Sequence, residues 1–299
     1  MKEKILFHIL KTFIRTMALC PFGVLYFISD CLYPIAYYVI RYRRKVVHAN
    51  ITNSFPEKSA KEIKEIEKKF YRHFCDQLME TVKLSRISKE EIRRRLRFTN
   101  SEIIEELRED SKPIFLYLGH QCNWEYMISI TTWMHPDMTA YQIYHPLSNK
   151  TMDRFIYWMR CRFGSKGVPQ KQALRTIITL VKEKKQSLFG LISDQRPARN
   201  PEPEWMTFLN QETAIITGAE AIGTKIGAHF LYGSMKCTRR GYYELTITPI
   251  EPIEGEKFTY SKQYMRMLEK DIIEQPHMWL WSHKRWKWQR RNQTPRPVA

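Results

Sequence analysis

The chain has 299 residues, and its 49 Lys and Arg against 31 Asp and Glu leave a formal net charge of +18. That length accommodates one large domain or two smaller ones with a sizeable core, and the charge calls for an anionic counterpart: nucleic acid, an acidic carrier protein or an anionic lipid surface. Six scattered cysteines have neither metal-ligand spacing nor the density of a disulfide framework, and read as thiols facing a reducing compartment.

The first notable element is "MALCPFGVLYFISDCLYPIAYYVI", Met17 to Ile40, where Asp30 is the lone charge and Pro21 and Pro34 are points for a kink. As one helix it would be about 36 Å long at roughly 1.5 Å per residue, enough to cross a hydrocarbon core of about 30 Å. The basic run Arg41 to Lys45 follows it and suits lipid headgroups. Residues 1–45 are therefore expected to form a membrane anchor with a basic flank, in preference to a buried helical hairpin. The stretch is too long and aromatic for a cleaved signal peptide. Lys2, Lys4, Lys11 and Arg15 put positive charge on its other side as well, so charge leaves spanning and interfacial arrangements open.

From residue 46 onward the pattern is that of a folded domain running to residue 299. Ile63, Ile66, Phe70, Phe74 and Leu78 recur at helical spacing and predict an amphipathic helix over Ala60 to Thr81. A helix over Ser101 to Glu109 precedes the buried-strand run Ile114 to Gly119. Strand Thr139 to Tyr144 leads to a helix over Met152 to Arg162, and helix Ala173 to Glu183 to strand Ser187 to Ser193. The stretch Pro197 to Pro203 reads as an exposed loop. A helix over Ala214 to Thr224, two strands in "AHFLYGSM" and "YYELTITPI", and a helix between Lys257 and Ile273 complete the series. The alternation predicts an α/β fold with a mixed, helix-covered β-sheet. "EAIGTKIG" lacks the strand-turn-helix context of a dinucleotide loop, and no spacing declares a metal site.

The segment richest in chemistry is "YLGHQCNWEYM", Tyr117 to Met127. His120 follows a buried strand and a glycine, where open α/β sheets present ligand-binding groups. On one continuous helix His120 and Glu125 would point about 140° apart, but with His120 in the turn and Glu125 in the first helical turn they can converge. A neutral imidazole could then take a proton from an acceptor hydroxyl while a carboxylate orients its other nitrogen. The spacing equally fits a surface or capping pair. Cys122 has no neighbouring cation to activate it and reads as a packing thiol.

"GHQCNWE", Gly119 to Glu125, resembles the histidine-x4-acid motif of the lysophospholipid acyltransferase superfamily, and within it the late lipid A biosynthesis acyltransferases of Gram-negative bacteria. "HANITNSFPE" (His48 to Glu57), "SDQR" (Ser193 to Arg196) and "WLWSHKRWK" (Trp279 to Lys287) are similar to further family segments in the same order, and together they cover most of the chain. The resemblance implies a glycerolipid-acyltransferase-like domain at the inner membrane, facing the cytoplasm. It implies transfer of a fatty acyl chain from acyl carrier protein, or less commonly acyl-CoA, to a hydroxyl of a lipid A precursor, without a metal or other cofactor. His120 becomes the general base and Glu125 its orienting partner.

On the same resemblance Asp194, Gln195 and Arg196 could order the acceptor or the site loop. The family commonly has Arg where this chain has His145, so His145 inherits the oxyanion-stabilising role less directly. Arg160, Arg162 and Lys166 could face the acceptor's phosphates, and Trp124, Tyr126, Trp133, Phe155 and Trp158 could line an acyl slot or belong to the core. The terminal run of four tryptophans among cations fits a lipid interface better than structural packing, and either better than nucleic acid. An acyltransferase for another lipid, such as a lysophospholipid or aminolipid, is the alternative, followed by a noncatalytic lipid- or nucleic-acid-binding protein.

Overall fold

The structure, a computed structural model, describes residues 2–197 and 202–287. Its helices are α1 (Lys2–Met17), α2 (Phe22–Pro34), α3 (Arg44–Ser54), α4 (Ala60–Leu84), α5 (Lys89–Arg95), α6 (Glu102–Glu106), α7 (Lys150–Arg160), α8 (Ala173–Lys182), α9 (Gly218–Gly223) and α10 (Thr259–Glu274). Its strands are β1 (Leu96–Phe98), β2 (Ile114–Leu118), β3 (Thr139–Tyr144), β4 (Lys166–Pro169), β5 (Ser187–Ile192), β6 (Glu204–Phe208), β7 (Gln211–Ile215), β8 (His229–Arg239) and β9 (Tyr242–Pro249).

Seven strands form one sheet in the order β1-β9-β8-β2-β5-β3-β4. All neighbouring pairs are parallel except the β8–β9 hairpin, so the expected mixed, helix-covered sheet is present. Along β2 the side chains alternate between two cores: Phe115 and Tyr117 join the layer under α8 and α10, while Ile114, Leu116 and Leu118 join the layer on the other face. Burial on both faces explains why β2 reads as an unbroken apolar run.

Helix α4 starts where Ser59 and Glu62 form a capping box. Its buried face is less apolar than predicted: Leu78 is exposed, while His73, Asp76, Gln77 and Glu80 are buried. Asp76 and Glu80 have partners in α2, and His73 and Glu80 in the turn after β2, where His73 Nε2 lies 3.1 Å from the Cys122 carbonyl. The long N-terminal apolar stretch is also divided. Chain direction changes before Pro21, which lacks the N–H a continuing helix needs; α2 then runs on through a π-helical segment, Ile35–Val39.

The helix expected over Ala214 to Thr224 is a correction. Residues Gln211–Ile215 pair antiparallel with Glu204–Phe208, and the helix begins only at Gly218. Leu209 and Asn210 both adopt positive φ, at 51° and 59°, the backbone a tight hairpin requires. The Pro197 to Pro203 loop lies partly outside the described residues.

Candidate active site

Register decides which groups meet. Strands β2 and β5 are parallel, with Leu118 opposite Ile192. Two residues beyond that pair, His120 and Asp194 leave the carboxyl ends of adjacent strands, where open parallel sheets place ligands. Asp194 Oδ1 accepts from His120 Nδ1 at 2.6 Å, and Oδ2 accepts from the His120 backbone N at 2.9 Å. Trp279 Nε1 donates to Oδ2 at 2.7 Å. Burial pushes the Asp194 carboxyl upward, but the His120 ring and these donors outweigh it and hold it below the usual aspartate range.

An ionised Asp194 fixes the Nδ1–H tautomer of His120 and leaves Nε2 with its lone pair. Gln195 Nε2 lies 3.2 Å from that atom, so an amide N–H occupies the position from which a hydroxyl would donate. The His120 ring is 19% exposed, whereas Asp194 is 1% exposed. Trp124 stands edge-on to the ring with centroids 5.0 Å apart.

The turn carrying His120 is held from behind by the C-terminal segment. Gln121 bridges to Trp279, Cys122 N donates to the Met278 carbonyl at 2.9 Å, and Leu280 N donates to the His120 carbonyl at 3.0 Å. Cys122 itself takes positive φ (52°), swinging the chain into the 3-10 helix Trp124–Thr132. Its thiol is buried and its pKa raised, chiefly by that burial. This accords with a packing thiol rather than a thiolate nucleophile. Beneath the turn, Asn123 Nδ2 donates to Glu80 at 2.6 Å, and Tyr243 and Tyr26 hydroxyls each donate to the same carboxyl at 2.9 Å.

Glu125 differs from expectation. It sits in the first turn of the 3-10 helix, as the spacing suggested, but both its oxygens engage Arg160 of α7: Nε at 2.9 Å and Nη2 at 2.5 Å. The carboxylate that grips the imidazole is Asp194. Burial raises the Glu125 pKa, and Arg160 more than offsets this, with a smaller contribution from nearby His120, so the group is held low. The site thus has two carboxylates with separate partners, one on the imidazole and one on a guanidinium.

The remaining predicted residues divide. His145 and Arg160 line one cavity of about 220 Å³ between β3 and α7, together with Tyr144, Leu147, Ile156 and Tyr157. His145 is exposed and its Nδ1 lies 3.0 Å from the Pro146 carbonyl. Arg162 is engaged with backbone: its guanidinium donates to the carbonyls of Leu84 and Ile87. Lys166 is exposed on edge strand β4. Arg196 follows the Asp194–Gln195 pair, near enough to His283 for their charges to interact. Of the proposed slot aromatics, Tyr126 and Phe155 are buried in the core, and Trp158 is partly buried beneath Lys11, whose Nζ is 4.3 Å from the ring centroid. Trp133 packs likewise, with Arg93 over its ring at 4.0 Å.

A second correction concerns the terminal tryptophans. Trp279 and Trp281 are buried core residues, and Trp286 donates to Thr213 Oγ1 at 2.8 Å; Trp288 and the residues after it lie outside the described residues. Asn50, in the "HANITNSFPE" segment, donates to the carbonyls of Trp281 and His283 at 2.8 and 2.9 Å. Buried Arg285 donates to the Ala214 carbonyl at 2.7 Å; burial lowers its pKa to about 10, against the pull of Asp194. Within this packed segment Trp279 supports Asp194 directly, a role its aromatic-basic composition did not disclose.

Three of the four segments singled out in the sequence thus meet at His120, and the fourth, through Asn50, holds the C-terminal one. A family model for bacterial lipid A biosynthesis acyltransferases matches residues 1–288. The chain belongs to that family. A comparison with curated proteins finds no match. The family consists of acyltransferases, so this is an acyltransferase, and its setting is lipid A biosynthesis, a membrane-associated process.

Proposed function

We propose that this member of the lipid A acyltransferase family moves a fatty acyl chain from an acyl carrier protein thioester to a hydroxyl of a lipid A precursor, at the cytoplasmic face of the inner membrane. The observation that carries the chemistry is the Asp194–His120 pair at 2.6 Å with Nε2 directed away from the carboxylate.

In this reading the acceptor hydroxyl displaces the Gln195 amide from Nε2 and gives that nitrogen its proton as its oxygen attacks the thioester carbonyl. Asp194 holds the tautomer and stabilises the imidazolium. The tetrahedral oxyanion collapses, the C–S bond breaks, and the imidazolium returns the proton to the departing thiolate. No acyl-enzyme forms. Glu125 acts one step removed: it fixes Arg160, whose cation on the cavity wall is a candidate for stabilising the oxyanion or binding an acceptor phosphate. His145, on the same cavity, is the secondary candidate for oxyanion donation. The apolar walls of the cavity suit the acyl chain, and the glycerolipid-acyltransferase-like scaffold is the framework we assign to the sheet and its helices.

The test is acyl transfer by the purified protein with acylated carrier protein and lipid A precursor, the product lipid being read by mass spectrometry. His120→Ala is expected to abolish transfer while leaving the fold intact. Transfer at a near-normal rate by that variant, or a covalent acyl-protein intermediate, would overturn the reading. Acylation of a lysophospholipid in place of the lipid A precursor would redirect the substrate assignment.

A further inference from the structure

The 18 residues Phe22–Val39 form a helix apolar and long enough to cross a membrane by composition and length. Its surroundings argue for another arrangement. Along its length α2 packs on α4 through polar contacts: Ser29 donates to Asp76 at 2.6 Å and Tyr26 to Glu80 at 2.9 Å. Near its middle, Asp30 is ion-paired at 2.7 Å with Arg240, which belongs to the tip of the β8–β9 hairpin and also binds Asp76. A helix crossing the bilayer would carry this charged hairpin tip, and the lysine-rich α4 beside it, into hydrocarbon.

Both ends of the helix are tied to the same body. Before it, α1 buries Phe7 against the core and packs on α7, with Arg154 4.5 Å above the Phe7 ring and Lys11 over Trp158. After it, α3 buries Val47 and Ile51 in the other core layer and sends Asn50 to the C-terminal segment. Elements that flank a membrane-crossing helix emerge on opposite sides; here both lie on one domain.

What remains outward is amphipathic. Ile5, Ile9 and Phe13 on α1, Leu19 in the turn, and Phe27 and Val39 on or beyond α2 are all more than half exposed. Beside them, His8, Lys11, Arg15 and Arg86 surround a depression of about 420 Å³ with the hydroxyls of Thr12 and Thr16, and Arg41, Arg43 and Lys45 are exposed at the far end of the apolar run. Apolar side chains framed by cations match the boundary between acyl chains and anionic headgroups.

We propose that α1 and the Phe22–Val39 helix lie in the plane of a single leaflet of an anionic bilayer, with the N-terminus and the catalytic domain on the same side. The proposal deepens the membrane reading given above, and its test uses no measure of activity, so the two can fail separately.

Replacing Cys20, Cys31, Cys161 and Cys237 by serine leaves only the buried Cys75 and Cys122. In that background Lys4→Cys reports the N-terminus and Lys182→Cys the catalytic domain, both at exposed positions. With a membrane-impermeant maleimide on inside-out and right-side-out vesicles, both are expected to label from the same face. Labelling of Lys4→Cys from the face opposite to Lys182→Cys would overturn the proposal. In a second arm, Ile9→Glu with Phe27→Glu is expected to reduce flotation of the full chain with phosphatidylglycerol-containing vesicles at least tenfold. Unchanged flotation, or a change confined to oligomeric state as for a face covered by a second copy, would overturn it as well.

Discussion

Asp194 holds His120 at two points, the ring Nδ1 at 2.6 Å and the backbone N at 2.9 Å, across the ends of two parallel strands. Ring orientation and main-chain position are therefore set by one carboxylate, and that carboxylate is itself held by Trp279. An imidazole so constrained meets the acceptor without first paying the entropy of finding its rotamer.

Asp194→Asn is expected to lower the acyl-transfer rate by roughly 10²- to 10⁴-fold. Three N–H donors converge on Asp194, and an asparagine offers one oxygen and an NH₂ in place of two acceptors. The imidazole can relieve the clash by moving its proton to Nε2, the nitrogen that must accept from the hydroxyl. Initial rates at saturating substrate, with a thermal melt to confirm folding, measure this. A loss below about fivefold would remove Asp194 from the mechanism.

The Glu125–Arg160 pair makes a different prediction. Glu125→Gln leaves a largely buried guanidinium facing a neutral amide and is expected to cost about 2 kcal/mol of stability, less than a fully buried pair because Arg160 keeps some solvent. Arg160→Gln removes the stranded charge, so the double variant should be more stable than the sum of the single changes implies, by about 1 kcal/mol. Denaturant unfolding of the four proteins closes the cycle. Strict additivity would show that the two groups do not depend on each other.

The sheet was legible in the sequence because apolar runs such as Ile114 to Leu118 are buried on both faces, and a one-dimensional pattern records burial well. His120 could be found from its place after that run. Its partner could not: Asp194 is 74 residues away, and only the parallel register of β2 and β5 makes it the nearer carboxylate, while local spacing pointed to Glu125. The terminal tryptophans were misread for a related reason. An indole in a headgroup region and an indole whose N–H satisfies a buried carboxylate have the same composition around them. Hairpin β6–β7 was missed because its turn uses Leu209 and Asn210, without the glycine that marks such turns.

Trp279→Phe isolates one hydrogen bond from the packing. The ring area is largely kept, but Asp194 loses a buried donor, for which about 1 kcal/mol of stability is expected to go. Transfer should fall by roughly tenfold, as Asp194 gains freedom to rotate away from Nδ1. Comparing the rate with that of Trp279→Leu, which removes the ring as well, checks that the N–H matters: equal activity in wild type and Trp279→Phe would assign Trp279 to packing alone.

Cys122→Ala is expected to retain acyl transfer within about threefold while lowering stability by about 1 kcal/mol, since it removes a small buried group at a position already in a left-handed turn. The intact protein should also resist alkylation at this thiol under native conditions. Complete loss of transfer in a folded Cys122→Ala protein would reinstate a nucleophilic thiol.

Glu80 gives the protein a stability profile tied to the catalytic turn. Burial raises its pKa to about 7, against hydrogen bonds from Asn123, Tyr243 and Tyr26, with nearby Asp76 adding to the rise. In the unfolded chain the same carboxyl titrates near its ordinary 4.5. Between those values the folded protein binds the extra proton, so stability falls as pH rises through this window: the contribution is fully present below about pH 4.5 and lost as pH passes about 7. The effect is on the order of 3 kcal/mol. Glu80→Gln keeps the shape and an acceptor for Asn123 but cannot titrate, and its unfolding free energy should decline less steeply than that of the wild type from pH 5 to pH 8. Urea unfolding of both proteins across that range provides the comparison, and parallel profiles would show that Glu80 stays ionised in its buried site.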